Sequence, residues 1–194
     1  MAELIDHAVA KKLLLEVTTV LDELRIPFFL MQGTALGAFR DKGFTPTETD
    51  IDLGFLQEDL TPNAPTIFDA LTAKGYEVHS FILPFTRVRS MKLMKHEINI
   101  DLVGFMKWEK VRFTHNCDRK TKPYAIVHQA PLLETYQTVE LFGRKFQIPY
   151  PIEVYLEREY GEDWRTPKAD SVSRTRMYDF MEDMKIPSTL LETK

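Results

Sequence analysis

Residues 49–55, Thr-Asp-Ile-Asp-Leu-Gly-Phe, decide how this chain should fold and where its chemistry should lie. Side chains alternate between the two faces of a strand, so Asp50 and Asp52 share one face while the apolar residues between them face the core. Strands disfavour aspartate, and neighbouring carboxylates repel each other unless water or a cation separates them. The pair therefore predicts a site for a hard divalent cation. The alternative is the solvated face of an ordinary edge strand.

A second stretch, residues 97–103, repeats the same alternation as Glu-Ile-Asn-Ile-Asp-Leu-Val. Its isoleucines and leucine form one apolar face, and its polar residues form the other. If this strand pairs beside the first, Asp101 adds a third carboxylate to Asp50 and Asp52. Glu48 and Glu97 are the next candidates for the third ligand.

The segment before the acidic pair, residues 32–40, places two glycines at a predicted junction between a strand and a helix. Gly33 should let the backbone approach a ligand closely, and the start of the helix offers free N–H groups to an anion. We expect Gly33 and Thr34 to position a phosphate. A phosphate-binding turn followed by metal ligands is the arrangement that phosphoryl transfer requires.

Several basic residues lie near these motifs in the sequence. Arg40 and Lys42 lie between the glycine turn and the acidic pair, where they could neutralise a diphosphate. Arg87, Arg89 and Lys92 flank the next predicted strand and could also contact phosphate. For all of them, an ordinary solvated surface is the alternative interpretation.

Periodicity along the chain predicts an α/β (α+β) fold, with a mixed sheet flanked by helices. The predicted helices are 4–24, 35–40, 65–74, 152–160 and 177–184. The predicted strands are 28–31, 49–56, 76–82, 87–94, 97–105, 110–114, 124–127, 136–142 and 145–148. We expect 110–150 to carry extra strands on the same core. Residues 1–170 should form one domain, followed by a C-terminal helix and tail at 171–194.

The composition of the chain limits the classes of function that this protein could have. The chain has 194 residues, and 25 Lys and Arg against 29 Asp and Glu give a net charge of −4, which argues against a nucleic-acid partner. Cys117 is the only cysteine, so no intrachain disulfide forms and a reducing compartment fits. The sequence starts without a signal-peptide pattern, and its apolar runs are too short for a membrane span. These features predict a cytoplasmic protein.

The motifs together resemble the LicD/fukutin family. The resemblance rests on residues 33–40 (Gly-Thr-Ala-Leu-Gly-Ala-Phe-Arg), residues 42–46 (Lys-Gly-Phe-Thr-Pro) and residues 50–52 (Asp-Ile-Asp). It continues with residues 144–149 (Arg-Lys-Phe-Gln-Ile-Pro), Tyr155-Leu156 and residues 160–167 (Tyr-Gly-Glu-Asp-Trp-Arg-Thr-Pro). In all it covers roughly residues 10–167.

The resemblance implies a nucleotidyltransferase fold and a metal-dependent transferase. Such an enzyme would move a phosphorylated small alcohol, such as phosphocholine or a polyol phosphate, from a CDP-linked donor to a glycan or other hydroxyl acceptor. Asp50, Asp52 and Asp101 would hold Mg²⁺ or Mn²⁺. Gly33, Thr34, Arg40 and Lys42 would bind the donor. Asp52 or Asp101 could also serve as the general base.

Two other functions stay open, and one departure from the family pattern supports the second of them. The family usually has a Trp and a run of aspartates just before the acidic pair, where this chain has Thr47-Glu48-Thr49. One alternative is a nucleotidyltransferase that moves NMP from an NTP to a small molecule or protein. The other is a catalytically decayed binding module.

Overall fold

The computed structural model describes residues 4–82, 89–116 and 124–167. The helices are α1 (His7–Glu23), α2 (Gln32–Leu36), α3 (Gln57–Ala73), α4 (Ala130–Glu134) and α5 (Ile152–Tyr160), and a π-helical turn at Gly37–Asp41 follows α2. The strands are β1 (Phe29–Leu30), β2 (Asp50–Leu56), β3 (Glu77–Ile82), β4 (Arg89–Lys95), β5 (Ile98–Trp108), β6 (Val111–Asn116), β7 (Tyr124–Gln129), β8 (Tyr136–Leu141) and β9 (Arg144–Pro149).

The main sheet is mixed, as the sequence predicts. Among the described residues its strands run in the order β1-β2-β5-β4-β3, and β6 and β7 continue from the far end of β5. Strands β2 and β5 are parallel, whereas the other neighbours pair antiparallel. With helices packed against it, this sheet confirms the predicted fold class.

Strands β2 and β5 bring the two acidic motifs together. Their parallel register sets Asp50 opposite Asn99 and Asp52 opposite Asp101. The apolar residues of both strands are buried, each at most 3% exposed, on the face that contacts the helices: Ile51, Leu53, Phe55, Ile98, Ile100 and Leu102. Since a slip of one residue would turn those side chains to solvent, burial fixes the register that aligns the aspartates.

The observed bounds of helix α1 lie close to the predicted helix at 4–24. The Asp6 carboxylate accepts hydrogen bonds from the N–H groups of Ala8 and Val9 at 2.8 and 3.0 Å, which caps the first turn. Its apolar stripe packs into the core through residues such as Leu14 and Val17. Residues 4–6 precede the helix rather than form its first turn.

Helix α3 begins eight residues before the predicted start, and the 65–74 boundary is therefore wrong. Pro62 and Pro65 lie inside the helix, although proline usually breaks one. Four buried residues hold it, at the spacing of one helical face: Leu60, Ala64, Ile67 and Leu71. Tertiary burial therefore overrides the local preference of the two prolines.

The β8–β9 hairpin covers one side of the core, in the region predicted to carry extra strands. Its two-residue turn, Phe142-Gly143, has φ values of 55° and 79°, the left-handed geometry of a tight hairpin. Its inward side chains join the core: Val139, Leu141, Phe146 and Ile148. The short helix α4 between β7 and β8 has no counterpart in the prediction.

Helix α5 has the predicted bounds. The predicted helix at 177–184 and the boundary at 170/171 lie outside the described residues, so the domain division stays a prediction. Within the described ranges, no helix has both the length and the apolar character needed to cross a membrane.

Candidate active site

The three predicted carboxylates lie together on the polar face of β2 and β5. Asp50, Asp52 and Asp101 each offer a ligand atom, and these atoms all lie within 4.8 Å of one another. Asp52 is only 4% exposed, whereas Asp50 and Asp101 are half-buried. This is the cluster that the alternation in the two strands predicts.

The electrostatics of the cluster favour a cation. Burial raises the pKa of the Asp101 carboxyl, Lys92 opposes that shift, and Asp50 adds to it. Converging carboxylate oxygens are the donor set that a hard divalent ion such as Mg²⁺ or Mn²⁺ prefers. The residues present therefore fit such an ion, and its identity stays a prediction.

Thr34 holds the backbone of the acidic pair. Its hydroxyl oxygen accepts a hydrogen bond from the Asp52 N–H at 2.9 Å, in a buried setting. The Met31 N–H donates to the Asp52 carbonyl at 3.3 Å. The turn after β1 therefore fixes β2 at the residue that carries the most buried carboxylate. Contact between Thr34 and phosphate stays a prediction.

Gly33 has a steric role that the sequence does not reveal. A β-carbon at this position would lie 2.4 Å from Glu48 Oε1 and 2.8 Å from the carboxyl carbon. Glu48 is 2% exposed, and the Thr45 hydroxyl donates to its Oε2 at 3.3 Å. The glutamate that departs from the family pattern is therefore built into the glycine turn. Phosphate binding at Gly33 stays a prediction.

Tyr155 on α5 reaches the same turn from the other side. Its hydroxyl accepts a hydrogen bond from the Gln32 N–H at 3.0 Å, and Gln32 has a left-handed φ of 44°. Burial and the nearby Glu159 raise the pKa of Tyr155 well above its ordinary value. The hydroxyl thus remains neutral and supports the turn. Sequence reasoning assigned Tyr155 no role, since the contact joins residues far apart in the chain.

A buried contact between a histidine and a glutamate lies behind Tyr155. His128 Nε2 is 3.0 Å from Glu159 Oε1, and the two side chains are 1% and 2% exposed. The His128 ring lies 5.3 Å from the Tyr155 ring, centroid to centroid. No ligand spacing in the sequence marked His128, and the structure places it in support of α5 rather than in the carboxylate cluster.

The predicted cations Arg40 and Lys42 have local partners. Arg40 donates to both Asp41 carboxylate oxygens and, through Nη1, to the Trp164 carbonyl, each at 2.8 Å. Lys42 Nζ donates to the Phe39 carbonyl at 2.9 Å. Arg40 thereby ties the π-helical turn to the segment after α5. Contact of either residue with a diphosphate stays a prediction.

Among the described side chains, Lys92 is a basic one that the fold brings to the cluster. It lies directly opposite Asp101 in the β4–β5 register, and its Nζ is 4.0 Å from Asp101 Oδ1. Arg87 lies outside the described residues. Lys92 therefore has an observed place beside the carboxylates.

A family model and several curated proteins match this chain. The model described as "LicD/FKTN/FKRP, nucleotidyltransferase domain" matches residues 25–150. Proteins named "Ribitol-5-phosphate transferase FKTN" from Mus musculus, Macaca fascicularis and Homo sapiens are each 26% identical over 160 residues. The match includes 81% of this chain and 33% of each relative, so the chain spans about a third of their length.

Solved structures support the fold alone. A crystal structure of ANT(2")-Ia in complex with adenylyl-2"-tobramycin superposes with a TM-score of 0.50 and 16% identity, covering 86% of each chain. A solution structure of the antibiotic-resistance factor ANT(2'')-Ia gives a TM-score of 0.54 at 16% identity, covering 90% of this chain and 83% of the other. Both comparisons agree with the predicted nucleotidyltransferase-like architecture.

Proposed function

This chain belongs to the LicD/FKTN/FKRP nucleotidyltransferase-domain family, and from that premise we propose that it transfers a phosphorylated small alcohol from a CDP-linked donor to a hydroxyl acceptor. The acceptor is a glycan or another hydroxyl compound. The observation that carries the proposal is the cluster of Asp50, Asp52 and Asp101, whose ligand atoms lie within 4.8 Å of one another and which includes the Asp50-Ile51-Asp52 motif of the family.

The three carboxylates would hold Mg²⁺ or Mn²⁺ against the donor diphosphate. When bound, such an ion neutralises the charge that develops on the leaving nucleotide. Asp52 needs a fixed position to take part, and Thr34 supplies it through the hydrogen bond to the Asp52 N–H. Most of the catalytic effect would therefore come from prearranged charge and geometry.

The proposed reaction breaks one phosphorus–oxygen bond and forms another. The acceptor oxygen attacks the phosphorus that carries the alcohol, and the bond from that phosphorus to the CMP oxygen breaks. CMP leaves with the electron pair of the broken bond. The acceptor hydroxyl loses its proton, for which Asp52 and Asp101 are the candidate bases.

The donor's phosphates would lie near the turn that follows β1. We assign Gly33, Thr34, Arg40 and Lys42 to this donor site because they flank the carboxylates in the family motif. Arg40 anchors the π-helical turn to the Trp164 carbonyl, so it could orient this segment as well as contribute charge. The cytoplasmic location inferred from composition remains part of the proposal.

The test measures which nucleotide product appears. The protein is incubated with CDP-ribitol, CDP-glycerol, CDP-choline or an NTP, together with Mn²⁺ and a panel of hydroxyl acceptors. Release of CMP from a CDP-alcohol, abolished by EDTA and by Asp50→Asn, is the expected result. Asp69→Asn, which changes an exposed aspartate on α3, serves as the matched control and should retain activity.

Three outcomes would change the proposal. Pyrophosphate release from an NTP, with no CMP from any CDP-alcohol, would make the chain a nucleotidyltransferase. Binding of a CDP-alcohol without turnover under any acceptor condition would favour a binding module. Equal CDP affinity with Mn²⁺ and with EDTA would remove the metal site from the proposal.

A further inference from the structure

One row of side chains crosses four strands beside the carboxylate cluster. Asp52 on β2 is in register with Asp101 on β5, Asp101 with Lys92 on β4, and Lys92 with His79 on β3. Residues in register across adjacent strands project from the same face of the sheet. The polar face therefore continues without interruption from the acidic cluster to a lysine.

The contacts of Lys92 leave its ammonium available. Its Nζ is 4.0 Å from Asp101 Oδ1, at the outer limit of an ion pair, and its side chain is 45% exposed. Lys95, on the opposite face of the same strand, pairs with Glu16 at 2.8 Å and donates to the Lys74 carbonyl at 2.9 Å. Lys95 is fixed by close partners, whereas Lys92 lies loosely against one carboxylate of the cluster.

We propose that Lys92 binds the donor's diphosphate, and that Asp101 holds this lysine beside the cluster until a divalent cation takes over the carboxylate. The inference rests on the proposed function and adds one ligand to its donor site. Without metal, the lysine balances part of the negative charge of Asp101. Once Asp101 ligates a cation, the two positive charges repel, and the flexible side chain of Lys92 turns toward the phosphate oxygens.

The proposal predicts effects of opposite sign on two ligands. Lys92 competes with the divalent cation for Asp101, so loss of its charge should tighten metal binding. The same loss removes a charge-assisted contact to the diphosphate, so it should weaken donor binding. A lysine that only stabilises the sheet would not produce this pair of effects.

The experiment uses Lys92→Met, which keeps the length of the side chain and removes its charge. Calorimetry first measures Mn²⁺ affinity without nucleotide, then the affinities of CDP and inorganic pyrophosphate at saturating Mn²⁺. We expect Mn²⁺ to bind about threefold to fivefold more tightly, the range of an exposed ion pair. CDP and pyrophosphate should each bind about tenfold more weakly.

Two further variants serve as controls. Lys92→Arg restores the charge and should return both affinities close to those of the unaltered protein. Lys95→Met removes a lysine from the opposite face of β4 and should change neither Mn²⁺ nor diphosphate affinity. Thermal melting of each variant confirms that it is folded.

The outcomes separate this inference from the proposed function. Unchanged diphosphate affinity in Lys92→Met, or weaker Mn²⁺ binding, would overturn the role of Lys92. If CDP binds no more tightly than pyrophosphate, cytidine recognition fails, while the opposite shifts on Lys92→Met would still support the lysine. If the unaltered protein binds no Mn²⁺, both proposals fall.

Discussion

Two clusters of charged side chains lie toward opposite ends of β5, and they differ in charge balance. In the cluster formed by Arg112, Lys107, Glu58 and Glu134, two cations meet two carboxylates, with N–O distances of 2.6 to 2.9 Å. In the other, three carboxylates lie together, and Lys92 is 4.0 Å from one of them, that of Asp101. In the balanced cluster the cations and carboxylates pair with one another. The acidic cluster retains negative charge that a ligand can neutralise.

The two clusters are far enough apart to be altered independently. Asp101 and Lys107 are both on β5, six residues or ~20 Å apart along the strand. Arg112 is 2% exposed, and its hydrogen bond holds the pKa of Glu58 below its ordinary value. We therefore assign the Arg112 cluster to folding and the Asp101 cluster to function, and substitutions should separate the two roles.

The largest loss of stability should come from the balanced cluster. Arg112→Met removes the cation that joins β6 to α3 and α4 and leaves Glu58 and Glu134 without it. We expect a loss of about 2–3 kcal/mol in the free energy of unfolding, below the cost of breaking a fully buried pair because Glu58 stays hydrated. Urea denaturation measures the loss. Mn²⁺ affinity of the folded variant should not change, and a large change would contradict the separation.

The pH dependence of the same variant provides a control. The pKa values of Glu58 and Glu134 lie below their ordinary values, so both carboxylates bind fewer protons in the folded state than in the unfolded state. The stability that these two carboxylates contribute is fully present above the ordinary glutamate pKa. It is lost as the pH falls through the lowered pKa values. Arg112→Met should therefore lose less stability on acidification than the unaltered protein.

A smaller loss is expected at the turn beside the acidic cluster. Gly33→Ala would place a β-carbon 2.4 Å from the Glu48 carboxylate, and we expect a cost of about 2 kcal/mol from overpacking. Glu48→Ala removes the obstructing group. The double variant should therefore lose less stability than the sum of the single variants, as measured in a double-mutant cycle.

Gly37→Ala is the matched control for that cycle. A β-carbon at Gly37 would lie 2.4 Å from the Gly43 carbonyl oxygen, which Glu48→Ala does not remove. The cost of Gly37→Ala should therefore be the same with and without Glu48. Strict additivity for Gly33→Ala and Glu48→Ala would show that Glu48 does not limit the size of residue 33.

The smallest loss should come from the tyrosine that supports the turn. Tyr155→Phe removes the acceptor of the Gln32 N–H, and we expect a cost of about 1 kcal/mol. Since that turn also fixes Asp52, Mn²⁺ affinity should fall several-fold. Tyr76→Phe removes a hydroxyl that donates to Glu16 at 2.7 Å, remote from the turn, and should leave Mn²⁺ affinity unchanged. Equal effects of the two variants on Mn²⁺ would rule out a positioning role for Tyr155.

The sequence predicts those features that depend on local alternation. Asp50, Asp52 and Asp101 could be placed on one face because the period of a strand is two and the intervening residues are apolar. The same rule predicts a strand at 49–56, close to the observed β2, and one at 97–105, which ends three residues before the observed β5. The match to the family model at residues 25–150 confirms the family resemblance, although part of that resemblance lies beyond the matched range, at residues 155–156 and 160–167.

The sequence could not predict features that depend on contacts between distant segments. Tyr155 and Gln32 are 123 positions apart, and no local pattern in either segment indicates that they meet. The burial of Glu48 against Gly33 depends on how the turn after β1 packs beside the segment before β2. The predicted helix starts only at residue 65, because a local pattern does not reveal that the stripe from Leu60 to Leu71 is buried.

The most direct test of the account measures thermal melting of Asp101→Asn with and without Mn²⁺. Removal of one of three crowded charges should keep or slightly raise the melting temperature without metal. The shift on adding Mn²⁺ should shrink, because ligand stabilisation grows as RT ln(1 + [L]/Kd) and the affinity is lower. A variant that melts earlier without metal and keeps the full Mn²⁺ shift would contradict the account and make Asp101 a structural residue.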